Sequence, residues 1–454
     1  MSNHYAVWRT RLLDAAMAIL QRPRAGAGAS SRLLGLFSSS VVDQILLSAA
    51  NFFVGFMLIR RTSDVDYGLF VLVQSAILLI VSAQNSWLSG PISVLGPKRS
   101  PEARRDMVGA IETSQRRILN RLVLVALLGP VLAYFLGFCS GLVAIVMALG
   151  VIACHAALRR EYVRSVLLMY ARPNSVLRAD LFYIGALLIG ALLAAYGPKP
   201  GILWAVGALV SSAWLGSLAA HRSVARNPGW TTGDATPYWR EIRPLGTWAV
   251  VGSVIYWSFG QSYNYMLVTR LGLIAVANVN AARLLLMPTF VVALGIKSLL
   301  VPSAATWLAE SGLKALTKRL IVFGSGIVVL DLAYIAFVWV FRDWFTADFL
   351  HKTIGDRDVL LLLWASLALI GLVRDVLMCA LVALEHFKPM AWLTGFSAAI
   401  SLGLMWFGMS WWGARAVLIG QIVGEVTNLI GIVLLLQRQH RLFEPVAADS
   451  GRGE

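Results

Sequence analysis

Twelve long apolar stretches follow one another between residues 41 and 436. Each has about the length of a helix that crosses the bilayer core, which takes roughly 20 residues. Apolar residues make up 58% of the 454 residues, and charged residues only 14%. In hydrocarbon, a helix satisfies its own backbone hydrogen bonds. The pattern therefore predicts an all-α polytopic membrane protein with about twelve transmembrane helices and no sizeable soluble domain.

The connections between these stretches alternate in charge. The predicted spans are 41–59, 67–88, 119–138, 142–157, 179–196, 202–220, 246–268, 275–300, 320–341, 359–384, 390–409 and 414–436. One set of connections is rich in Arg and Lys, and the other is short and poor in net positive charge. Basic residues concentrate on the cytoplasmic side of membrane proteins. The alternation predicts an even number of spans with both termini in the cytoplasm.

The two halves of the pattern correspond to each other. The first and second spans are joined by RRTSDVDYGLF (60–70), and the seventh and eighth by TRLGLIAVA (269–277). In both, a tight outside turn follows an arginine. Such repeats predict two pseudo-symmetric six-helix lobes around a central cavity. The predicted division is 1–38 cytoplasmic N-terminal lead, 39–221 N-lobe, 222–244 cytoplasmic linker, 245–437 C-lobe and 438–454 cytoplasmic tail.

Composition and motifs exclude several kinds of partner. The formal net charge is +16, but the positive-inside rule accounts for most basic residues, so no nucleic-acid partner is predicted. The three cysteines and six histidines show no disulfide or metal-ligand spacing. No GxxxxGK[ST] sequence occurs, so the chain is not expected to use ATP directly. We predict no cofactor and no metal.

The N-terminal lead, residues 1–37, lacks a signal-peptide pattern. Its composition fits a helix on the membrane surface as well as a flexible tail.

Basic side chains inside apolar spans are candidates for function, because burying a charge in the membrane is costly. Arg283 and Lys297 lie in the eighth span and Arg374 in the tenth. Since arginine pairs with phosphate oxygens through a planar fork of donors, we expect these residues to bind an anionic group. Lys297 is close to the cytoplasmic end and is equally consistent with an interfacial anchor.

The acidic residues divide into two groups. Asp43 and Asp180 lie near cytoplasmic span ends and are predicted to be ordinary terminal residues, with Asp180 capping its helix. Asp331 and Glu425 lie near mid-membrane, where they fit either a proton-coupling role or a structural pair with an arginine. Asp375 follows Arg374 but projects about 100° away on a helix, so the two need not pair.

Polar side chains at membrane depth complete the candidate site. The residues predicted to line the cavity and contact sugar hydroxyls or rings are Gln74, Tyr256, Gln261, Tyr263 and Asn264. Tyrosines are also normal at membrane interfaces, which is the alternative interpretation. Two prolines carry predictions of their own. Pro288 is expected to kink the eighth helix, and Pro91 to stop the second.

The segment 64–80, DVDYGLFVLVQSAILLI, resembles the start of the second helix in polysaccharide flippases (Wzx-like) of the multidrug/oligosaccharidyl-lipid/polysaccharide exporter (MOP) superfamily. The predicted arrangement of the whole chain, twelve spans in two six-helix lobes, is also similar to that family. The resemblance implies a non-enzymatic flippase of the bacterial inner membrane. It would translocate undecaprenyl-pyrophosphate-linked oligosaccharide repeats by alternating access for exopolysaccharide or O-antigen export. The implied partners are the lipid-linked oligosaccharide, membrane lipid, a polysaccharide polymerase and chain-length proteins.

Two other functions remain open at this point. One is a cation-coupled drug or metabolite exporter of the same superfamily, which should have an acidic cavity, whereas the buried Arg283 and Arg374 are basic. The other is a membrane sugar polymerase or glycosyltransferase. The longest outside connection, 342–358, is short for a catalytic domain, although it contains four aspartates.

Overall fold

The computed structural model describes residues 27–170, 172–225 and 233–449. Side chains are described for 42–170, 172–224, 233–293 and 306–441, and for four positions between the last two ranges. Within these ranges the chain is almost wholly helical and contains no strand. Ten helices in the described part are long and apolar enough to cross a membrane, or eleven when one bent pair is counted as a span. The chain is a multi-pass membrane protein.

Six helices form the N-terminal half. They are α1 Ala27–Arg61, α2 Asp64–Lys98, α3 Pro101–Phe135, α4 Gly141–Met169, α5 Pro173–Tyr196 and α6 Gly201–Ala225. The side chains of Ser63, Ser100 and Ser140 cap the first backbone amides of α2, α3 and α4. Leucine-rich faces of α3 are exposed, as expected for a helix against lipid.

In the described residues the C-terminal half contains six further helices, of which the first two, α7 and α8, are each broken into two segments. The segments are α7a Thr236–Gln261, α7b Tyr263–Leu271, α8a Leu273–Leu285, α10 Arg357–Ala383, α11 Phe387–Trp412 and α12 Arg415–Asp449, together with two that follow one another without a gap in Met287–Val340. The helical segment Met287–Val340 is interrupted at Gly312, where φ is 74°. We name the part before Gly312 α8b and the part after it α9. Following the predicted topology, the end that carries the α1–α2 turn is called the outer end, and the opposite end the inner end.

The predicted seventh span, 246–268, falls on α7a and α7b, which are not among the ten apolar helices. Tyrosine, tryptophan, serine and glutamine replace aliphatic residues along much of its length. The polarity of α7 removes one predicted span from the count, and the bend in the eighth span removes a second unless the bent pair is counted as one span. The predicted linker and tail are partly helical, because α7a begins at Thr236 and α12 continues to Asp449. Most of the predicted lead, residues 1–26, lies outside the described residues.

The two proline predictions had opposite outcomes. Pro288 is confirmed as a bend, because α8a and the segment Met287–Ala293 meet at 60°. Pro91 does not stop α2, and that prediction is wrong. The helix continues to Lys98 after a π-helical turn at Asn85–Ser89. A wider turn just before proline leaves room for its ring and for the missing amide donor, so the helix can continue.

Three clusters of buried apolar side chains hold the molecule together. One joins the two halves at the outer end and includes Phe70 of α2 and Trp364 of α10. A second fills the inner end of the N-terminal half and also contains Ile242 of α7a. A third, around Leu316, fills the inner end of the C-terminal half. The halves thus share a core at the outer end, whereas at the inner end α7a packs into the core of the N-terminal half and the other C-terminal helices have a core of their own.

Candidate functional site

Arg283 lies on α8a, roughly 15 Å along the helix from its outer end. Its Nη1 donates a hydrogen bond of 3.3 Å to the hydroxyl of Tyr263. Its guanidinium carbon lies 5.4 Å from the ring centroid of Trp364 and 5.7 Å from that of Phe290, both within the range of cation–π attraction. Among the described side chains, no carboxylate forms an ion pair with it. Arg283 is therefore a half-buried cation held by a phenol and two aromatic rings.

A chain of amides and hydroxyls connects α2, α7 and α8a beside Arg283. Tyr263 donates to Asn280 Oδ1 (3.0 Å), Asn280 Nδ2 donates to Asn264 Oδ1 (2.7 Å), and Asn264 Nδ2 donates to Ser75 Oγ (3.0 Å). Gln261 accepts a longer bond, 3.4 Å, from the same Asn264 amide. Asn264 is fully buried. Two of the predicted cavity residues, Tyr263 and Asn264, thus help to bond the two halves to each other. Sequence reasoning missed their partners Ser75 and Asn280.

The Tyr67-Gly68 pair lies at the same seam. Tyr67 is buried and within electrostatic range of Tyr263 and Arg283. A Cβ on Gly68 would lie 2.6 Å from the carbonyl oxygen of Leu273, so only glycine allows the outer ends of α2 and α8a to meet at this distance. The Tyr-Gly motif therefore has a structural reason in this chain, which is close contact between the two halves.

Arg374 has a different environment from that of Arg283. Its Nη1 donates to both carboxylate oxygens of Glu425, at 2.7 and 2.6 Å. Its Nε and Nη2 donate to Asp375 Oδ1, at 3.1 and 2.8 Å. The neighbouring residues do pair, since the long arginine side chain folds back to reach the carboxylate. Of the two interpretations of Glu425, the structural pair with an arginine describes its geometry.

The remaining predicted residues are spread along the seam and beyond it. Gln74 is half-buried on α2, and Tyr256 is 60% exposed on α7a. Asp331 on α9 is 7% exposed, and no hydrogen-bond or ion-pair partner accompanies it in the described part of the chain. The side chain of Lys297 lies outside the described residues. The described residues contain no group of three or more His, Cys, Asp or Glu side chains able to hold a metal ion.

The N-terminal half contains a buried charge cluster that sequence reasoning missed. Asp43 is 2% exposed and Asp180 1% exposed. Arg164 Nη2 donates to Asp43 (2.9 Å) and its Nε donates to Asp180 (3.0 Å), while Arg160 pairs with the other oxygen of Asp180. The prediction that these aspartates are ordinary terminal residues is wrong, and Asp180 lies within α5 rather than capping it. A buried carboxylate that faces two arginines on another helix joins helices instead.

The outer end is closed by the connection 342–358, which reaches from α9 across to α1 and α2. Lys352 Nζ lies 2.6 Å from Asp64 Oδ1 and 3.1 Å from the Thr62 carbonyl. Arg60 Nη2 donates to His351 Nε2 at 3.2 Å. The rings of Phe56 and Phe349 stack with centroids 4.3 Å apart.

Another exposed pair lies within the C-terminal half at this end. There the guanidinium of Arg415 donates two hydrogen bonds to Asp356, at 2.8 and 3.0 Å. These bonds hold the pKa of Asp356 below its ordinary value.

Comparison with known proteins shows which solved structures resemble this architecture. No family model and no curated protein matches the sequence. An inward-facing multidrug resistance MATE family transporter of the MOP superfamily is similar in structure, with a TM-score of 0.70 at 14% identity over 90% of this chain and 96% of the other. The lipid II flippase MurJ in an inward closed conformation gives 0.66 at 12% identity over 89% and 87%. A MOP superfamily transporter from Pyrococcus furiosus, described as having a binding pocket of reverse polarity, gives 0.63 at 14% over 89% and 95%.

These likenesses cover almost the whole chain and define its fold. It is the polytopic all-α fold of MOP superfamily transporters, shared by MATE exporters and the MurJ flippase. The proteins that share it here are transporters and flippases.

Proposed function

We propose that this chain is a flippase that translocates undecaprenyl-pyrophosphate-linked oligosaccharide repeats across the bacterial inner membrane for exopolysaccharide or O-antigen export. The observation that carries the proposal is the environment of Arg283. It is a cation at membrane depth, at the seam between the halves, and no described carboxylate neutralises it. A pyrophosphate would supply that negative charge, and the guanidinium fork matches its oxygens.

The packing of the two halves supports entry from the inner end. They share a core at the outer end, whereas at the inner end α7a packs with the N-terminal half and the other C-terminal helices have their own core. If the inner end faces the cytoplasm, a headgroup assembled there reaches Arg283 through the seam while its lipid tail stays in the bilayer. Gln74, Tyr256 and Gln261 would contact sugar hydroxyls and rings along this path.

Arg374 and Lys297 enter the proposal as secondary anion contacts. Arg374 is saturated by Glu425 and Asp375, so a phosphate would have to displace a carboxylate from it. Such an exchange would release Glu425 when cargo arrives. Asp331, which lacks a partner among the described side chains, is the better candidate for a coupled proton. A membrane potential with a negative interior would also favour outward movement of the anion, by about 2.3 kcal/mol per charge per 100 mV.

A cation-coupled exporter of the same superfamily is the second candidate, and the buried Asp331 favours it. In that case Asp331 would bind the cation or its coupling proton. Arg283 would then have no cargo to pair with. The polymerase and chain-length proteins that the resemblance implies remain predictions.

The test is transport in proteoliposomes loaded with a fluorescent lipid-linked oligosaccharide. Outward appearance of the sugar is followed with an impermeant lectin, under an imposed potential and an imposed pH gradient separately. Arg283→Ala should abolish flipping. Arg270→Ala is the matched control, because Arg270 stacks on Trp406 at 4.2 Å on the exposed outer side of α7b. Flipping that survives Arg283→Ala would refute the proposal. Export of cationic dyes that requires Asp331 would establish the second candidate.

A further inference from the structure

A long apolar groove lies between helices of the N-terminal half and α7b. Its outer section is a cavity of about 820 Å³ between α2, α3, α4 and α7b. The lining is almost entirely aliphatic and includes Leu72, Ala76, Leu122 and Met147. The polar side chains in the wall are already bonded. His155 Nε2 lies 2.9 Å from Asn120 Oδ1, and Tyr265 donates to the Leu72 carbonyl at 2.9 Å.

The groove continues to the inner end of the molecule. A second cavity of about 580 Å³ shares Ile80, Leu119 and Leu158 with the first, so the two adjoin along these side chains. Along α2 the lining runs from Leu69 to Leu88, which is roughly 28 Å at 1.5 Å per residue. One leaflet of hydrocarbon is only about 15 Å thick. The groove is therefore longer than the chain of an ordinary phospholipid and passes the bilayer midplane.

The inner mouth of the groove is basic. Arg243 of α7a lines it and is exposed, and no described carboxylate pairs with it. The indoles of Trp87 and Trp239 lie beside it in the same lining, and Trp239 Nε1 is anchored on Ser114 Oγ at 3.1 Å. A single cation beside two indoles at the end of an apolar channel matches an amphiphile with a phosphate headgroup and one long tail.

Helix α7b separates this groove from Arg283. Tyr263 faces Arg283, whereas Tyr265 faces the groove and bonds to α2. The groove is thus a second site that shares a wall with the first. Gly129 of α3 widens its outer section, since a Cβ there would meet no atom within 4 Å.

We infer that this groove binds the polyprenyl chain of an isoprenoid phosphate, with the phosphate at Arg243 and the tail running past the midplane toward Gly129. The inference rests on the proposed function insofar as this lipid is the carrier of the cargo. It stands separately as a binding site, because binding can be measured without transport.

The test uses the full chain in nanodiscs of phosphatidylethanolamine and phosphatidylglycerol. The probe is undecaprenyl phosphate with a photoreactive diazirine at the distal end of its tail. We expect crosslinks on α3 and α4 near Gly129, and a loss of about tenfold in apparent affinity in Gly129→Phe. The matched control is Gly326→Phe, because Gly326 is exposed on α9, has no atom within 4 Å of its Cβ position and lies outside the groove. Ala126→Trp blocks the same section and serves if Gly129→Phe does not fold.

The outcomes separate the site from the transport function. Arg243→Ala should weaken binding of the phosphate several-fold and leave binding of uncharged undecaprenol unchanged. Equal crosslinking of the same sites by a phosphatidylglycerol that carries the diazirine at the end of an acyl chain would assign the groove to ordinary acyl chains and overturn the inference. So would unchanged crosslinking in both blocked variants. Specific crosslinking in a protein that flips no oligosaccharide would retain the groove and remove the proposed function.

Discussion

Arg283 and Arg374 are two arginines at membrane depth in the same half of the molecule, and their surroundings differ. Arg374 faces Glu425 and Asp375, with four donor–acceptor distances between 2.6 and 3.1 Å. Arg283 faces a phenol at 3.3 Å and two aromatic rings. Arg164 in the other half resembles Arg374, since it also bonds two carboxylates.

The difference indicates which buried charges serve the fold and which are available to a ligand. An ion pair in a low-dielectric interior roughly compensates its own desolvation, so its net contribution is small, but removing one partner leaves a charge that nothing offsets. Arg374 and Arg164 are both arginines of such buried ion pairs. At Arg283 the aromatic rings offset only part of the desolvation cost, and an anion from outside the protein would offset the rest. Four changes would break or sharpen this comparison.

The largest expected effect is on stability, at Arg374. Arg374→Ala should lower the free energy of unfolding by about 3–5 kcal/mol, because it removes the guanidinium that pairs with the buried carboxylate of Glu425. The double variant Arg374→Met, Glu425→Leu should recover most of that loss. Thermal unfolding in detergent measures both. If Arg374→Ala unfolds like the parent but no longer binds cargo, the two arginines are alike and the comparison fails.

Arg283→Ala should act on binding instead. Hydrogen bonds to charged groups contribute about 1.5–3 kcal/mol, so affinity for a pyrophosphate-linked lipid should fall roughly 10- to 150-fold. Stability should change by less than about 1 kcal/mol, as the lost cation–π contacts are partly exposed. Arg283→Lys should retain part of the affinity. Equilibrium binding and thermal unfolding are measured on the same preparations, and a large loss of stability without a loss of affinity would contradict this assignment.

The ion pair at the outer end should have a smaller effect. Lys352 and Asp64 are partly exposed, so Asp64→Asn should cost no more than about 1 kcal/mol. Loss of the ion pair should make the outer end open more often. A cysteine at Phe56 should then become more reactive to an impermeant maleimide. The reversed pair, Asp64→Lys with Lys352→Asp, should restore protection. Equal labelling in all three backgrounds would show that the Asp64–Lys352 ion pair does not keep this end closed.

The smallest effect concerns pH and the exposed Asp356–Arg415 pair. The pKa of Asp356 is lowered in the folded state by hydrogen bonds from Arg415. The stability that this ion pair contributes is therefore fully present above the pKa of Asp356 in the unfolded chain. It is lost as the pH falls through the lower pKa of Asp356 in the folded chain. The difference in unfolding temperature between the parent and Asp356→Asn should be constant from about pH 5 to pH 8 and shrink progressively as the pH falls below about 4, toward the lowered pKa of the folded state. A difference that grows on acidification would contradict this sign.

Local sequence patterns predicted the helices, and isolated charges in apolar stretches identified Arg283 and Arg374 as candidates. They did not show which arginine is neutralised, because the partners come from distant helices. Glu425 lies 51 residues from Arg374, and Asp43 lies 121 residues from Arg164. Pairing of that kind depends on how helices pack, and helical periodicity does not encode it. The wrong prediction for Pro91 has a local cause. A π-helical turn before the proline accommodates its ring, so the helix continues.

The polar run of α7 shows the same division between local and distant information. The sequence placed Tyr263 and Asn264 at membrane depth and suggested a cavity. It did not indicate that this short segment serves two separate surfaces, with Tyr263 beside Arg283 and Tyr265 beside the groove. That assignment depends on the rotation of α7b relative to α2, which is set by bonds to Ser75 and to the Leu72 carbonyl.

The contact of Gly68 with the backbone of Leu273 has a consequence for the cell's energy supply. A transporter that admits a bulky headgroup needs a wide passage, and a wide passage left open would let protons and sodium leak down their gradients. At the outer end, two helices meet with no space for even a methyl group between them. A seal made by main chain does not depend on the rotamer of any side chain. In this state the outer end would stay electrically tight.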